Sequence, residues 1–138
     1  MHNKPIIIID DDDDDLEIIK EAFVQLNISN EIIVFNDGYK FLEYVRLNNN
    51  RPFFILCDIN MGKISGLELK KLIYDDEQLR IKCVPFVFMS TSGGSAEVMR
   101  AYSYGVQGYF VKPSSFEDLK KLISSIVDYW QYSQIPIT

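Results

Sequence analysis

Short apolar runs of strand length recur along this chain with longer amphipathic stretches between them, and that alternation narrows the fold more than any other feature. The runs are Ile6-Ile7-Ile8-Ile9, Ile32-Ile33-Val34-Phe35, Phe53-Phe54-Ile55-Leu56-Cys57, Phe86-Val87-Phe88-Met89 and Tyr109-Phe110-Val111. The first, third and fourth are apolar at every position, as suits strands covered on both faces. Helical patterns begin near Asp14, Asp37, Ser65, Ser95 and Ser115, each at or beside a side chain able to cap free N–H groups. In the last, Phe116, Leu119, Leu122, Ile123, Ile126, Val127 and Trp130 recur at three- and four-residue steps and mark one buried face. Ser115 and Asp118 have the spacing of a capping box, although Glu or Gln is its usual partner. The pattern predicts five strands and five helices as βα units around a parallel sheet.

The chain of 138 residues has the length of one domain, so a single unit over 1–138 is expected, with no separate output module. No apolar run approaches the roughly 20 residues of a membrane span. The start, Met1-His2-Asn3-Lys4-Pro5, lacks the basic, apolar and small-residue regions of a secretory signal, and His2 reads as a solvated side chain. A net charge of −6 repels phosphate backbones, which argues against nucleic acid as a partner. Cys57 and Cys83 sit among β-branched and aromatic neighbours and read as small buried apolar residues, not as a disulfide or metal pair. A reducing cytoplasm suits them.

Six consecutive aspartates, Asp10 to Asp15, follow the first run. Acidic residues favour a helix N-terminus through its dipole, which accounts for Asp12 to Asp15, with Asp14 or Asp15 as the expected cap. Asp10 and Asp11 differ because they fall where a buried strand ends. At about 4 Å and an effective dielectric of roughly 20, one such carboxylate pair costs on the order of 4 kcal/mol, which a hard cation removes. In an open α/β sheet, ligands collect beyond the C-terminal ends of the strands. After strand one stand Asp10 and Asp11; after strand three, Asp58; after strand four, Ser90 and Thr91; after strand five, Lys112.

Those residue types suit phosphoryl transfer. Mg2+ typically takes one or two protein carboxylates together with waters and phosphate oxygens. Asp10 and Asp11 can hold it, leaving Asp58 as ligand through one oxygen and nucleophile through the other, which gives an aspartyl phosphate. Lys112 can stabilise the equatorial charge, and Ser90 can donate to the phosphoryl oxygen.

The acidic pair Asp10-Asp11, the stretch Asp58-Ile59-Asn60-Met61 with Gly66 beyond it, Ser90 closing the fourth strand and Gly108-Tyr109-Phe110-Val111-Lys112-Pro113 resemble the receiver domain of two-component response regulators over nearly the whole chain. The resemblance implies a flavodoxin-like, doubly wound (βα)5 fold with a five-stranded parallel sheet in the order 2-1-3-4-5. It implies Asp58 as phosphoacceptor, with Ser90 and Lys112 as its catalytic partners. For Mg2+ it implies Asp11 as a direct ligand, Asp10 acting mostly through water, Asp58 itself, and Asn60 through its backbone carbonyl. Ser90 would be the switch hydroxyl, assigned over Thr91 by the family's interval to the lysine, and Tyr109 the rotating aromatic. The peptide before Pro113 would be cis. The implied partners are a sensor histidine kinase or histidine phosphotransfer protein and an unidentified downstream protein, and the implied outputs include a phosphorylation-dependent homodimer. Such a chain is a switch and not a turnover enzyme.

Two positions depart from the family. Gly62 stands where proline usually follows the methionine, which is expected to loosen the loop beside the acceptor. Thr91 is larger than the usual Ala or Gly and is expected to alter access. Two other readings compete. Asp10-x-Asp12, Ser90 and Lys112 imitate motifs of haloacid-dehalogenase-type phosphatases, but a further acidic pair is needed and Asp118 and Asp128 fall in the last predicted helix. A receiver used only as an unphosphorylated interaction module is the other. A flavodoxin-like flavin carrier is disfavoured, because six aspartates would repel its phosphate.

Overall fold

The computed structural model describes residues 3–136, so the reading of His2 lies outside the described residues. In chain order the elements are β1 (Ile6–Ile9), α1 (Asp13–Gln25), β2 (Ile32–Phe35), α2 (Gly38–Leu47), β3 (Phe54–Cys57), α3 (Gly66–Asp75), α4 (Glu77–Lys82), β4 (Phe86–Ser90), α5 (Ser95–Ser103), β5 (Gly108–Val111) and α6 (Phe116–Tyr132). The strands pair in parallel in the order β2-β1-β3-β4-β5, as the flavodoxin-like expectation required.

Alternation along the strands builds two cores. Ile7 and Ile9 of β1 face one side with Phe41 and Leu42 of α2, Leu69 and Ile73 of α3 and Ala101 of α5. Ile6 and Ile8 face the other, with Leu16, Ile19 and Phe23 of α1 and Ile123, Ile126 and Trp130 of α6. The three central strands β1, β3 and β4 are buried at every position, whereas the edges β2 and β5 are only partly covered.

Three local expectations need correction. The helical stretch after Ser65 is two helices, so there are six among the described residues. Asp76, in extended backbone, ends α3 and caps α4, its carboxylate accepting the Gln78 and Leu79 N–H groups. A six-residue helix is too short to declare itself by periodicity. The cap of α1 is Asp12, not Asp14 or Asp15, because the helix starts one residue earlier and Asp12 accepts both of their N–H groups. The cis X–Pro bond is Val84–Pro85, not the peptide before Pro113. The cis form costs little at any X–Pro bond, so residue type does not choose between prolines.

Cys57 and Cys83 are free and buried. Burial pushes the Cys57 thiol far up and the Cys83 thiol up to about 12, so both behave as apolar groups. No helix among the described residues is long and apolar enough to cross a membrane.

Candidate phosphoacceptor site

The ladder hydrogen bonds continue beyond the strand ends and carry the candidate residues to one rim. Asp10 N–H donates to Phe35 O at 3.0 Å, Asp58 N–H to Ile9 O at 2.9 Å, and Lys112 N–H to Ser90 O at 2.7 Å. Asp10, Asp11 and Asp58 thereby meet, each offering a carboxylate oxygen within 4.8 Å of the other two. The Lys112 ammonium lies 3.6 Å from Asp10 Oδ2 and 2.9 Å from Asp15 Oδ2. Ser90, the last residue of β4, is fully buried beside this rim, and its Oγ accepts the Ser92 N–H at 3.2 Å.

Electrostatics follow from crowding. Burial pushes Asp10 up to about 6, with Asp58 and Asp15 adding in the same direction; the Asp12 N–H and Lys112 oppose this and do not cancel it. Asp58 is also raised, chiefly by burial and further by Asp11, against the pull of Lys112 and the Ile59 and Asn60 N–H groups. Burial lowers Lys112, yet the surrounding Asp15, Asp10 and Asp58 outweigh it and raise the ammonium above its ordinary range. The carboxylates thus resist being charged together while the Lys112 ammonium beside them is held charged. A divalent cation fits this donor set, because it removes the mutual repulsion and finds hard oxygen ligands at one point.

The loops beside Asp58 are tightly held. Asp58 Oδ1 accepts the Ile59 N–H at 2.8 Å, and Gly66 N–H donates to Ile59 O at 2.8 Å. A Cβ on Gly66 would stand 2.4 Å from Asp58 O and 2.8 Å from Ile59 Cα, so only glycine lets α3 approach the Asp58 backbone this closely. Gly62 corrects the expectation of a loosened loop: its N–H donates to Asp11 Oδ2 at 2.8 Å, a bond that proline could not make. Thr91 is exposed, and Asn60 is exposed beside the site.

Tyr109 is half-buried in β5, its ring edge-on to Phe88, and its hydroxyl donates to Ser92 O at 2.5 Å and to Glu97 Oε1 at 3.1 Å. Tyr104 packs against the same core, while Tyr102 is exposed. Asp118 and Asp128 sit exposed on α6, away from any strand end, so the acidic pair the phosphatase reading needs is not at the rim.

Sequence reasoning missed Asp15, Gly62 and Glu97. Asp15 could have been found: a third-position residue on a helix directs its side chain back toward the helix N-terminus, here toward the rim. The other two act through contacts between loops and elements distant in sequence, which carry no local signal.

A parallel α/β sheet in the order 2-1-3-4-5 with an acidic cluster, a buried hydroxyl and an ammonium at its C-terminal rim is the arrangement of a receiver-type signalling domain. The family model of the response regulator receiver domain matches residues 6–124, and the chain belongs to that family, the signalling modules of two-component systems. The probable methanogenesis regulatory protein FilR2 of Methanothrix harundinacea is 36% identical over 117 residues, covering 82% of this chain and 74% of that protein. The phosphorylated cyanobacterial phytochrome response regulator RcpA superposes with a TM-score of 0.87 at 27% identity, covering 98% and 99% of the two chains. The Mn(2+)-bound form of response regulator Rcp1 does so with a TM-score of 0.84 at 26% identity, covering 97% and 99%.

Proposed function

We propose that this chain is a phosphorylation switch in which Asp58 accepts a phosphoryl group from a histidine kinase or histidine phosphotransfer protein. The observation that carries this reading is the meeting of the Asp10, Asp11 and Asp58 carboxylates within 4.8 Å, with Lys112 beside them. Asp10, Asp11, Asp58 and the Asn60 carbonyl would hold Mg2+, which when bound supplies Lewis-acid neutralisation of phosphoryl oxygens. The likeness to a Mn(2+)-bound relative supports a divalent ion here.

Asp58 attacks the phosphorus through a carboxylate oxygen, forming an O–P bond as the bond to the donor nitrogen breaks. Lys112, released from Asp15, pairs with the phosphoryl oxygens, and Ser90 donates its hydroxyl to one of them. A groove of about 360 Å³ on the outer side of Lys112, lined by Asp15, Ile18, Pro113 and Phe116, offers a partner protein a surface next to the site. The added charge biases Ser90 and Tyr109, and through them the surface of α5, β5 and α6, toward a second protein or a second copy of the chain. The setting is cytoplasmic, and the domain acts by changing partners rather than by turnover.

Acetyl phosphate with Mg2+ provides the test, read by intact mass. The wild-type chain gains one phosphoryl group that hydroxylamine removes, and Asp58→Asn gains none. No gain in wild type, or an equal gain in Asp58→Asn, ends the proposal.

A further inference from the structure

Tyr109 carries one hydroxyl hydrogen but has two acceptors, Ser92 O at 2.5 Å and Glu97 Oε1 at 3.1 Å. The two ride on different parts of the molecule. Ser92 belongs to the loop after β4, two residues from Ser90, and its N–H is bonded to Ser90 Oγ. Movement of Ser90 toward a group on Asp58 carries that carbonyl with it. Glu97 belongs to the first turn of α5, at the third helical position after the Gly94 cap. A glutamate at this position ordinarily reaches back to the cap residue's N–H, as Glu68 does to Ser65 in α3. In α5 the cap is glycine and makes no side-chain bond, and Glu97 is turned to Tyr109 instead.

We propose that Glu97 is a positioning residue: its carboxylate is the acceptor on α5 that keeps the Tyr109 hydroxyl turned into the fold, so the ring is set inward before any phosphoryl group arrives. Phosphorylation then moves the loop of residues 91–94 past a ring already in place, while Glu97 keeps the start of α5 tied to β5. A charge-assisted bond to a carboxylate is stronger than one between neutral groups, so Glu97 retains the hydrogen when the Ser92 carbonyl withdraws. The first statement concerns the unphosphorylated protein alone; the second rests on the phosphoswitch reading above.

The test is NMR of the chain carrying 13C-labelled tyrosine rings, with Tyr109 assigned by Tyr109→Phe and the exposed Tyr132 as internal reference. Wild type, Glu97→Ala and Glu97→Gln are compared, each with and without beryllofluoride and Mg2+. Without beryllofluoride, Glu97→Ala shifts the Tyr109 ring resonances toward those of Tyr132, and Glu97→Gln, which keeps an acceptor oxygen, leaves them near wild type. In wild type, beryllofluoride changes the Tyr109 signal far less than it does in Glu97→Ala. An unshifted Tyr109 in folded Glu97→Ala, or equal shifts in the Ala and Gln variants, overturns the assignment. If the phosphoswitch reading alone fails, beryllofluoride changes nothing in any of the three proteins, while the difference between unliganded wild type and Glu97→Ala persists.

Discussion

Two helices on the same face of the sheet begin in opposite ways. At α3, Ser65 Oγ accepts the Glu68 N–H at 3.1 Å and the Glu68 carboxylate accepts the Ser65 N–H at 3.0 Å, while Gly66 packs directly on the Asp58 backbone. At α5, Gly94 supplies no cap bond, and a Cβ placed there would meet nothing within 4 Å. The first start is locked to Asp58. The second meets β5 through the Glu97–Tyr109 hydrogen bond. The difference lies in how each start is held: the side at Asp58 by backbone contacts, the side at Tyr109 by side-chain hydrogen bonds.

The largest expected effect breaks that comparison at its rigid end. Gly66→Ala forces a Cβ to 2.4 Å from Asp58 O and 2.8 Å from the Phe88 ring, neither of which is a flexible chain end. The cost reaches or exceeds the ~3 kcal/mol top of the usual overpacking range. Gly94→Ala meets open space and loses only the glycine preference at a cap, at most about 1 kcal/mol. Urea denaturation of both variants measures the contrast, and equal losses would abolish it.

The next effect lies where α3 passes beneath the far end of α5. Lys70 is 1% exposed, its ammonium 5.7 Å from the centroids of both the Tyr74 and Phe86 rings, and Nζ lies close to Gly105 just beyond α5. Burial pulls this lysine down to about 8, outweighing the opposing influence of Cys83, and Arg80 lowers it further. A depressed lysine means that the unfolded chain binds the extra proton between pH 8 and the ordinary 10.5, so stability rises with pH across that window. Below pH 8 the full penalty applies, on the order of 3 kcal/mol. Lys70→Met is expected to be more stable than wild type at pH 7, with the advantage fading as pH approaches 10. A constant difference across that range would show that the ammonium carries no such penalty.

The sequence was a good guide where one residue's position implied its neighbours. Ile6 to Ile9, Phe54 to Cys57 and Phe86 to Met89 read as strands covered on both faces, and their ends, with that of β5, bring Asp10, Asp11, Asp58, Ser90 and Lys112 to one rim. It was a poor guide where single hydrogen bonds decided. The break at Asp76 depends on one residue serving two helices, its N–H donating to Ile73 O of α3 and its carboxylate accepting N–H groups of α4, and the Lys112–Asp15 pair depends on α1 starting at Asp13 rather than Asp14. The Gly62 donation to Asp11 spans 51 residues, and no local pattern announces it.

The smallest expected effect on stability sharpens the comparison most. Gly94→Ser writes at α5 the Ser-x-x-Glu spacing that α3 already has at Ser65 and Glu68. The new hydroxyl can accept the Glu97 N–H, and Glu97 gains the residue 94 N–H as a competing partner. Replacing glycine by serine at a cap is worth a few tenths of a kcal/mol, seen as a slightly higher urea midpoint. The Tyr109 hydroxyl, raised by burial and then by Glu97, should ionise at lower pH as the carboxylate turns away, read by ultraviolet titration against Tyr109→Phe. A carboxylate bonded along its own helix turn is drawn away from β5. A midpoint that rises while Tyr109 ionisation stays fixed would mean that Glu97 serves both partners, and then the open start of α5 would not be what ties this helix to Tyr109.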